Sequence, residues 1–154
     1  MKRIGLTALI FLGIFTLNTA FGGNESINPE MHHHHGMDTA DKRTSLELSP
    51  EMKQHQLSNM REHLAAVQSI IRLMSENKFE EASGIAHAKL GLTPEMQQMC
   101  SMFENEQFMA MGFEFHRSGD ELGKVLKTRN MKASLRALNK TMAYCTECHA
   151  AFRQ

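Results

Sequence analysis

From Ser49 to the C-terminus the apolar residues fall at alternating spacings of three and four. The first run is Leu57, Met60, Leu64, Val67, Ile71 and Met74, one face of an α-helix sustained over about five turns. Ser49-Pro50-Glu51 precedes it: a capping hydroxyl, a proline whose missing N–H costs nothing in the first turn, and a carboxylate near the positive end of the helix dipole. A shorter second helix carries Phe79, Ala82, Ala86 and Leu90, with Asn77 and Glu80 as its capping residues and Gly91 as its stop. Thr93-Pro94-Glu95-Met96 then repeats the starting device of Ser49-Pro50-Glu51-Met52, two helix starts using the same chemistry. A third helix turns Phe108, Met111, Phe115, Leu122 and Val125 inward, with Gly112 and Gly119 permitting close approach. The fourth runs from about Asn130 to the end on a seam of Leu135, Leu138, Met142, Cys145, His149 and Phe152, flanked by Cys148. Nothing reads as strand. Four amphipathic helices on short links predict an all-α domain over residues 49–154, an antiparallel four-helix bundle.

The N-terminal third has a different pattern. Lys2 and Arg3, the apolar run Ile4 to Leu17, and Ala20-Phe21-Gly22 are the three zones of a secretory signal peptide over residues 1–22. That run is short for a membrane span, and no later segment is apolar enough to cross a bilayer. The expectation is export to the periplasm of a Gram-negative bacterium, with no membrane attachment after cleavage. Residues 23–48 lack periodicity and read as a disordered tail. Within it His32, His33, His34 and His35 form a tract with two readings: a weak site for copper, nickel or zinc, or a solvated tail. The formal balance of 17 basic against 17 acidic residues loses Lys2 and Arg3 with the signal, leaving 15 against 17. Such a near-neutral chain gives no reason to expect nucleic-acid binding.

Six residues from the C-terminus the fourth helix carries Cys145-Thr146-Glu147-Cys148-His149. Cys-x-x-Cys-His is the attachment signature of a c-type haem: two thiols at this spacing can each add across one vinyl group, and the following imidazole then reaches the iron. The sequence predicts one covalently attached haem c, held by Cys145 and Cys148 with His149 as proximal iron ligand. Such haem is coupled outside the cytoplasmic membrane, in agreement with the signal peptide. A thioredoxin-like dithiol would want βαβ surroundings, and a structural zinc site would need four ligands, recruiting Cys100 or a distant histidine. Cys100 itself reads as a small buried hydrophobe, or else as a bridge or metal ligand. Met96, Met99, Met102, Met109 and Met111 cluster around it, either as flexible filler around a bulky cofactor or as soft ligands for copper(I). No paired carboxylates or activated serine stand out, and the expected function is not enzymatic.

A four-helix pattern ending in Cys145-Thr-Glu-Cys148-His149-Ala-Ala-Phe152-Arg153 resembles the class II c-type cytochromes, the cytochrome c-prime family, over roughly residues 49–154. The resemblance implies a four-helix haem domain and places Arg153 near a haem propionate; read without it, Arg153 is an exposed charge that offsets the helix dipole. The His-containing tail and the methionine cluster depart from the usual pattern. The family divides on the sixth iron position. Some members leave it open and bind small gases such as nitric oxide and carbon monoxide; others supply a methionine from the first helix and carry electrons. Met60, in Leu57-Ser-Asn-Met60-Arg, matches that methionine. It lies about 15 Å into helix one and His149 about 7 Å from the end of helix four, levels that adjoin in an up-and-down bundle. His116 lies at comparable depth on helix three, and His63 falls beside the seam of helix one. The expected function is one-electron transfer, with gas binding and periplasmic metal handling as alternatives.

Partners follow from charge. Between Glu121 and Glu147 the chain carries Lys124, Lys127, Arg129, Lys132, Arg136 and Lys140 and no acidic residue. Lys132, Arg136 and Lys140, four apart, form one stripe on the outer face of the last helix. The stripe is either a solvated face or a surface that steers the chain to acidic redox partner proteins. Pairing of two copies as a homodimer stays open.

Overall fold

A computed structural model of the chain describes residues 40–154. The signal peptide over 1–22 and the tract His32–His35 lie outside the described residues. The described chain is all-α apart from one two-residue strand pair. Its helices are α1 (Pro50–Ser75), α2 (Phe79–Ile85, continued by a π-helical turn Ala86–Leu90), α3 (Pro94–Cys100), α4 (Glu106–Lys127) and α5 (Met131–Ala151).

The starts obey local chemistry. The Ser49 hydroxyl accepts from the Met52 N–H at 3.2 Å and Thr93 Oγ1 from the Met96 N–H at 3.3 Å. Asn105 and Asn130 cap α4 and α5 through their side-chain oxygens, at 2.9 and 3.0 Å. The second helix departs from expectation. Its N-cap is Lys78, with no side-chain hydrogen bond. Asn77 instead adopts φ 59° and closes α1, the left-handed conformation that asparagine tolerates just past a helix end.

α4 is the element on which the others gather: α2, the π turn, α3 and α5 all pack against it, and α1 packs on α2 and the π turn. Gly119 makes this possible, because a Cβ there would collide with the Leu90 backbone carbonyl. About two turns earlier, Gly112 lets Cys100 Sγ sit 3.1 Å from where a Cβ would stand. Buried polar groups also join helices. Ser83 Oγ donates to Gly123 O at 2.8 Å, and Thr141 Oγ1 lies 3.2 Å from both Ser118 O and Ala137 O.

The expected seams shift by a residue or two. On α1, Leu64 and Ile71 are 70% and 49% exposed, while Ala66, Val67, Ile70, Leu73 and Met74 are buried. A strict three–four seam drifts around a 3.6-residue helix, and α1 turns toward α2 the side that contains Ile70 and Leu73. On α4, Phe108 and Leu122 are buried as expected; Met111, Phe115 and Val125 are only half-buried, and His116 and Leu126 go in. On α5, Leu135 and Met142 stay exposed, and Ser134, Leu138 and Thr141 are buried. Small side chains let α5 approach α4 closely, which Leu135 and Met142 would prevent. The inner stripe of α5 continues through Cys145 and Cys148, with the exposed His149 at its flank, the reverse of the expected placement.

The expected tail also ends earlier than residue 48. β1 (Thr44–Ser45) pairs in parallel with β2 (Phe152–Arg153), and Leu46 N–H donates to Arg153 O at 3.0 Å. Leu46 and Leu48 pack against Phe103, Phe108 and Phe152. This short strap has no periodicity to announce it, since its partners are all distant in the chain: the strand pair with Phe152–Arg153 and the packing on Phe103 and Phe108.

Gly119→Ala should lower unfolding stability by about 1–3 kcal/mol, the cost of overpacking against a backbone that cannot yield. Gly84→Ala on α2, where a Cβ meets nothing within 4 Å, should add about 0.5–1 kcal/mol. Urea unfolding midpoints of the two variants check both signs.

Candidate cofactor site

A cavity of about 720 Å³ lies at the junction of the two hydrophobic clusters. Val67 and Phe115 come to its wall from one, and Phe103, Phe108 and Phe152 from the other. Its size falls within the range of about 300–1,000 Å³ common for small-molecule and cofactor sites. α5 contributes Cys145, Cys148 and His149; α1 contributes Met60 and His63; α4 contributes His116. The cavity thus brings together the two predicted thiols, the predicted proximal histidine and the predicted sixth ligand.

The surroundings of both cysteines favour the neutral thiol. Both are half-buried. Burial raises the Cys145 thiol above its ordinary value, and burial together with the neighbouring Cys145 pushes Cys148 up to about 11. A dithiol redox centre or a zinc thiolate site wants the opposite shift. Among the described residues no group of three or more His, Cys, Asp or Glu side chains is placed to hold a metal ion. Cys100 is buried, and its thiol is likewise raised by desolvation. Met60, Met96, Met99, Met109, Met111 and Met142 line the wall, while Met102 is 53% exposed.

Two imidazoles meet on the cavity wall. His63 and His116 have ring centroids 5.4 Å apart in an edge-on arrangement, and Phe115 lies 4.9 Å from each. His116 Nδ1 lies 3.0 Å from Leu90 O. A carbonyl only accepts, so Nδ1 carries the proton and Nε2 of the neutral ring is left as acceptor. Burial lowers the pKa of both rings. His63 falls to about 4, with repulsion from His116 adding to desolvation. The sequence placed both histidines near this level but did not bring them into contact; their meeting depends on how α1 turns against α4.

Charge around the cavity is one-sided. Arg43, Lys53, Arg61 and Arg153 reach its lining and no Asp or Glu does. Arg153 is exposed, as a C-terminal charge would be, and also lies 3.8 Å from Asp41. Arg43, Lys53 and Arg61 carry no motif and were not picked out from sequence. The one available signal, an absence of acids at cavity positions, requires the cavity to be known.

The thiol pair beside an imidazole, a wide apolar wall and a cationic rim fit a flat apolar macrocycle with carboxylate substituents. No family model, curated protein or solved structure matches this chain.

The buried imidazoles make stability depend on acid. Below pH 6.5 the unfolded chain protonates His63 while the folded chain resists until about pH 4. The unfolded state then binds more protons, and stability present above pH 6.5 is lost progressively as pH falls toward 4. In His63→Leu that loss should shrink. Urea unfolding of both proteins at pH 7 and pH 4.5 measures the difference.

Proposed function

We propose that this chain is a periplasmic monohaem c-type cytochrome, an antiparallel four-helix bundle over residues 49–154 that carries electrons singly. The observation that supports it is the shared cavity: Cys145, Cys148 and His149 reach the same apolar space as Met60, within a lining that includes no Asp or Glu. In this reading Cys145 and Cys148 hold one haem c by thioether bonds, and His149 is the proximal iron ligand. Met60 is the sixth ligand, and Arg153 meets a propionate. The haem supplies one-electron chemistry between ferrous and ferric iron. The protein's part is orientation, exclusion of water and provision of a docking face. His116, fixed by the Leu90 carbonyl, and Phe115 hold the inner wall rigid. The methionines fill irregular space around a planar edge. The reading is of a carrier and not an enzyme.

Lys132, Arg136 and Lys140 stand exposed on the outer side of α5. Met131 and Leu135, 38% and 51% exposed, share a shallow groove with Lys132 and Arg136. Apolar contact ringed by positive charge suits brief docking to an acidic redox partner, where charge mainly speeds encounter. A gas-binding protein is the alternative, separated from the carrier by the sixth ligand. A metal-handling role would draw on the methionine wall and on His32–His35.

Expression with haem-maturation machinery tests the attachment. Wild-type protein should keep its haem through acid–acetone extraction, and Cys145→Ala with Cys148→Ala should lose all of it; haem retained by the double variant would refute the assignment.

Ligation is tested separately by absorption spectra of ferric and ferrous protein with and without carbon monoxide. Wild type should be low-spin in at least one oxidation state, and Met60→Ala should turn high-spin and bind carbon monoxide rapidly. Ready carbon monoxide binding by wild type with an unchanged Met60→Ala spectrum would favour the gas-binding alternative.

A further inference from the structure

The strap before α1 delivers a guanidinium to the cavity. Arg43 stands one residue before β1, so its position is set by the parallel pairing of Thr44–Ser45 with Phe152–Arg153. Leu46 and Leu48, packed on the Phe103–Phe108–Phe152 cluster, fix the strap from the other side. Three of the five N–H donors of a guanidinium have protein partners here. Nε donates to Asp41 Oδ1 at 2.9 Å, Nη2 to Asp41 Oδ2 at 2.8 Å, and Nη1 to the His149 carbonyl at 3.3 Å. That last bond ties Arg43 to the backbone of the haem motif itself. Asp41 also accepts from the Arg43 backbone N–H at 3.1 Å and lies 3.8 Å from Arg153. The Arg43 guanidinium holds the Asp41 carboxyl down to about 2, so it is ionised throughout the neutral range.

Asp41 is therefore an anion set between two arginines at the mouth of a cavity whose own lining has none. One carboxylate against Arg43 and Arg153 leaves a net positive charge at the mouth and two unused Arg43 donors. A planar fork with free donors, fixed by backbone pairing, is a built receptor for a second carboxylate. We propose that Arg43 is a carboxylate-binding residue of the cavity, gripping a propionate of the haem, and that Asp41 is the positioning residue that holds it there. This rests on the cofactor reading above and adds the strap, residues 41–48, to the cofactor site.

The test uses signs. A positive charge beside the macrocycle favours the less positive ferrous state, and a negative charge favours the ferric. Arg43→Gln in the haem-loaded full chain should lower the midpoint potential, Asp41→Asn should raise it, and Arg43→Lys should stay near wild type. Spectroelectrochemical titration at fixed pH and ionic strength reads all three. If the strap served only to cover the cavity, loosening it by either Arg43→Gln or Asp41→Asn would admit water and move both potentials the same way. Potentials moving together, or an Arg43→Gln potential equal to wild type, overturns the proposal with the cofactor reading intact. A wild-type protein without covalent haem overturns both.

Discussion

An apolar cavity of about 720 Å³ is the constraint to which the rest of the domain adjusts. Protein interiors are close-packed, so a domain with an apolar opening of that size must concentrate its stabilising packing elsewhere. Here the packing is concentrated on α4. Its glycines bring α2 and α3 close, and Ser134 and Thr141 bring α5 close. α1 and α5 make no extensive backbone approach to each other among the described residues. Met60 and Met142 instead extend from these two helices into the space between the hydrophobic clusters.

Local chemistry was legible in the sequence and global geometry was not. Ser49, Thr93 and Asn130 mark helix starts because a cap is satisfied within three residues of itself. Cys145, Cys148 and His149 are likewise picked out by local spacing alone, and the structure brings all three to one cavity. The inner face of each helix is another matter. α5 offers Leu135 and Met142 on one side and Ser134 and Thr141 on another, and hydrophobicity alone favours the first pair. The close approach to α4 selects the second, since Thr141 can also satisfy its hydroxyl on the Ser118 carbonyl. Arg43 was out of reach altogether. Its role depends on a two-residue strand pair joining the two ends of the described chain, and no local pattern encodes a partner at such separation.

The surroundings of Cys145 and Cys148 bear on the chemistries that share the Cys-x-x-Cys spacing. A redox dithiol needs one thiol driven toward thiolate, usually at a helix N-terminus or beside a cation. Cys145 and Cys148 sit in the last two turns of α5, near the negative end of its dipole, in apolar surroundings that raise both thiols. Position and burial act in the same direction, favouring neutral sulfur. Neutral thiols facing apolar space accord with the proposed thioether attachment.

The basic residues divide into two sets with different physical work. Arg43, Lys53, Arg61 and Arg153 are exposed at the edge of the cavity, where closeness to whatever shares the space, and not burial, gives each charge its effect. Lys132, Arg136 and Lys140 face water on α5, where a charge is screened over about 10 Å at 0.1 M ionic strength. The first set can tune a bound group and can do little at long range. The second can steer a partner and can do little to a potential inside the fold. Both sets belong to one continuous arrangement, because α5 carries the stripe outward along its length and ends in the motif and β2. On the proposed reading, a partner drawn to Lys132, Arg136 and Lys140 would dock on the helix that also carries Cys145, Cys148 and His149 at its far end, so that recognition and electron delivery would share a single element.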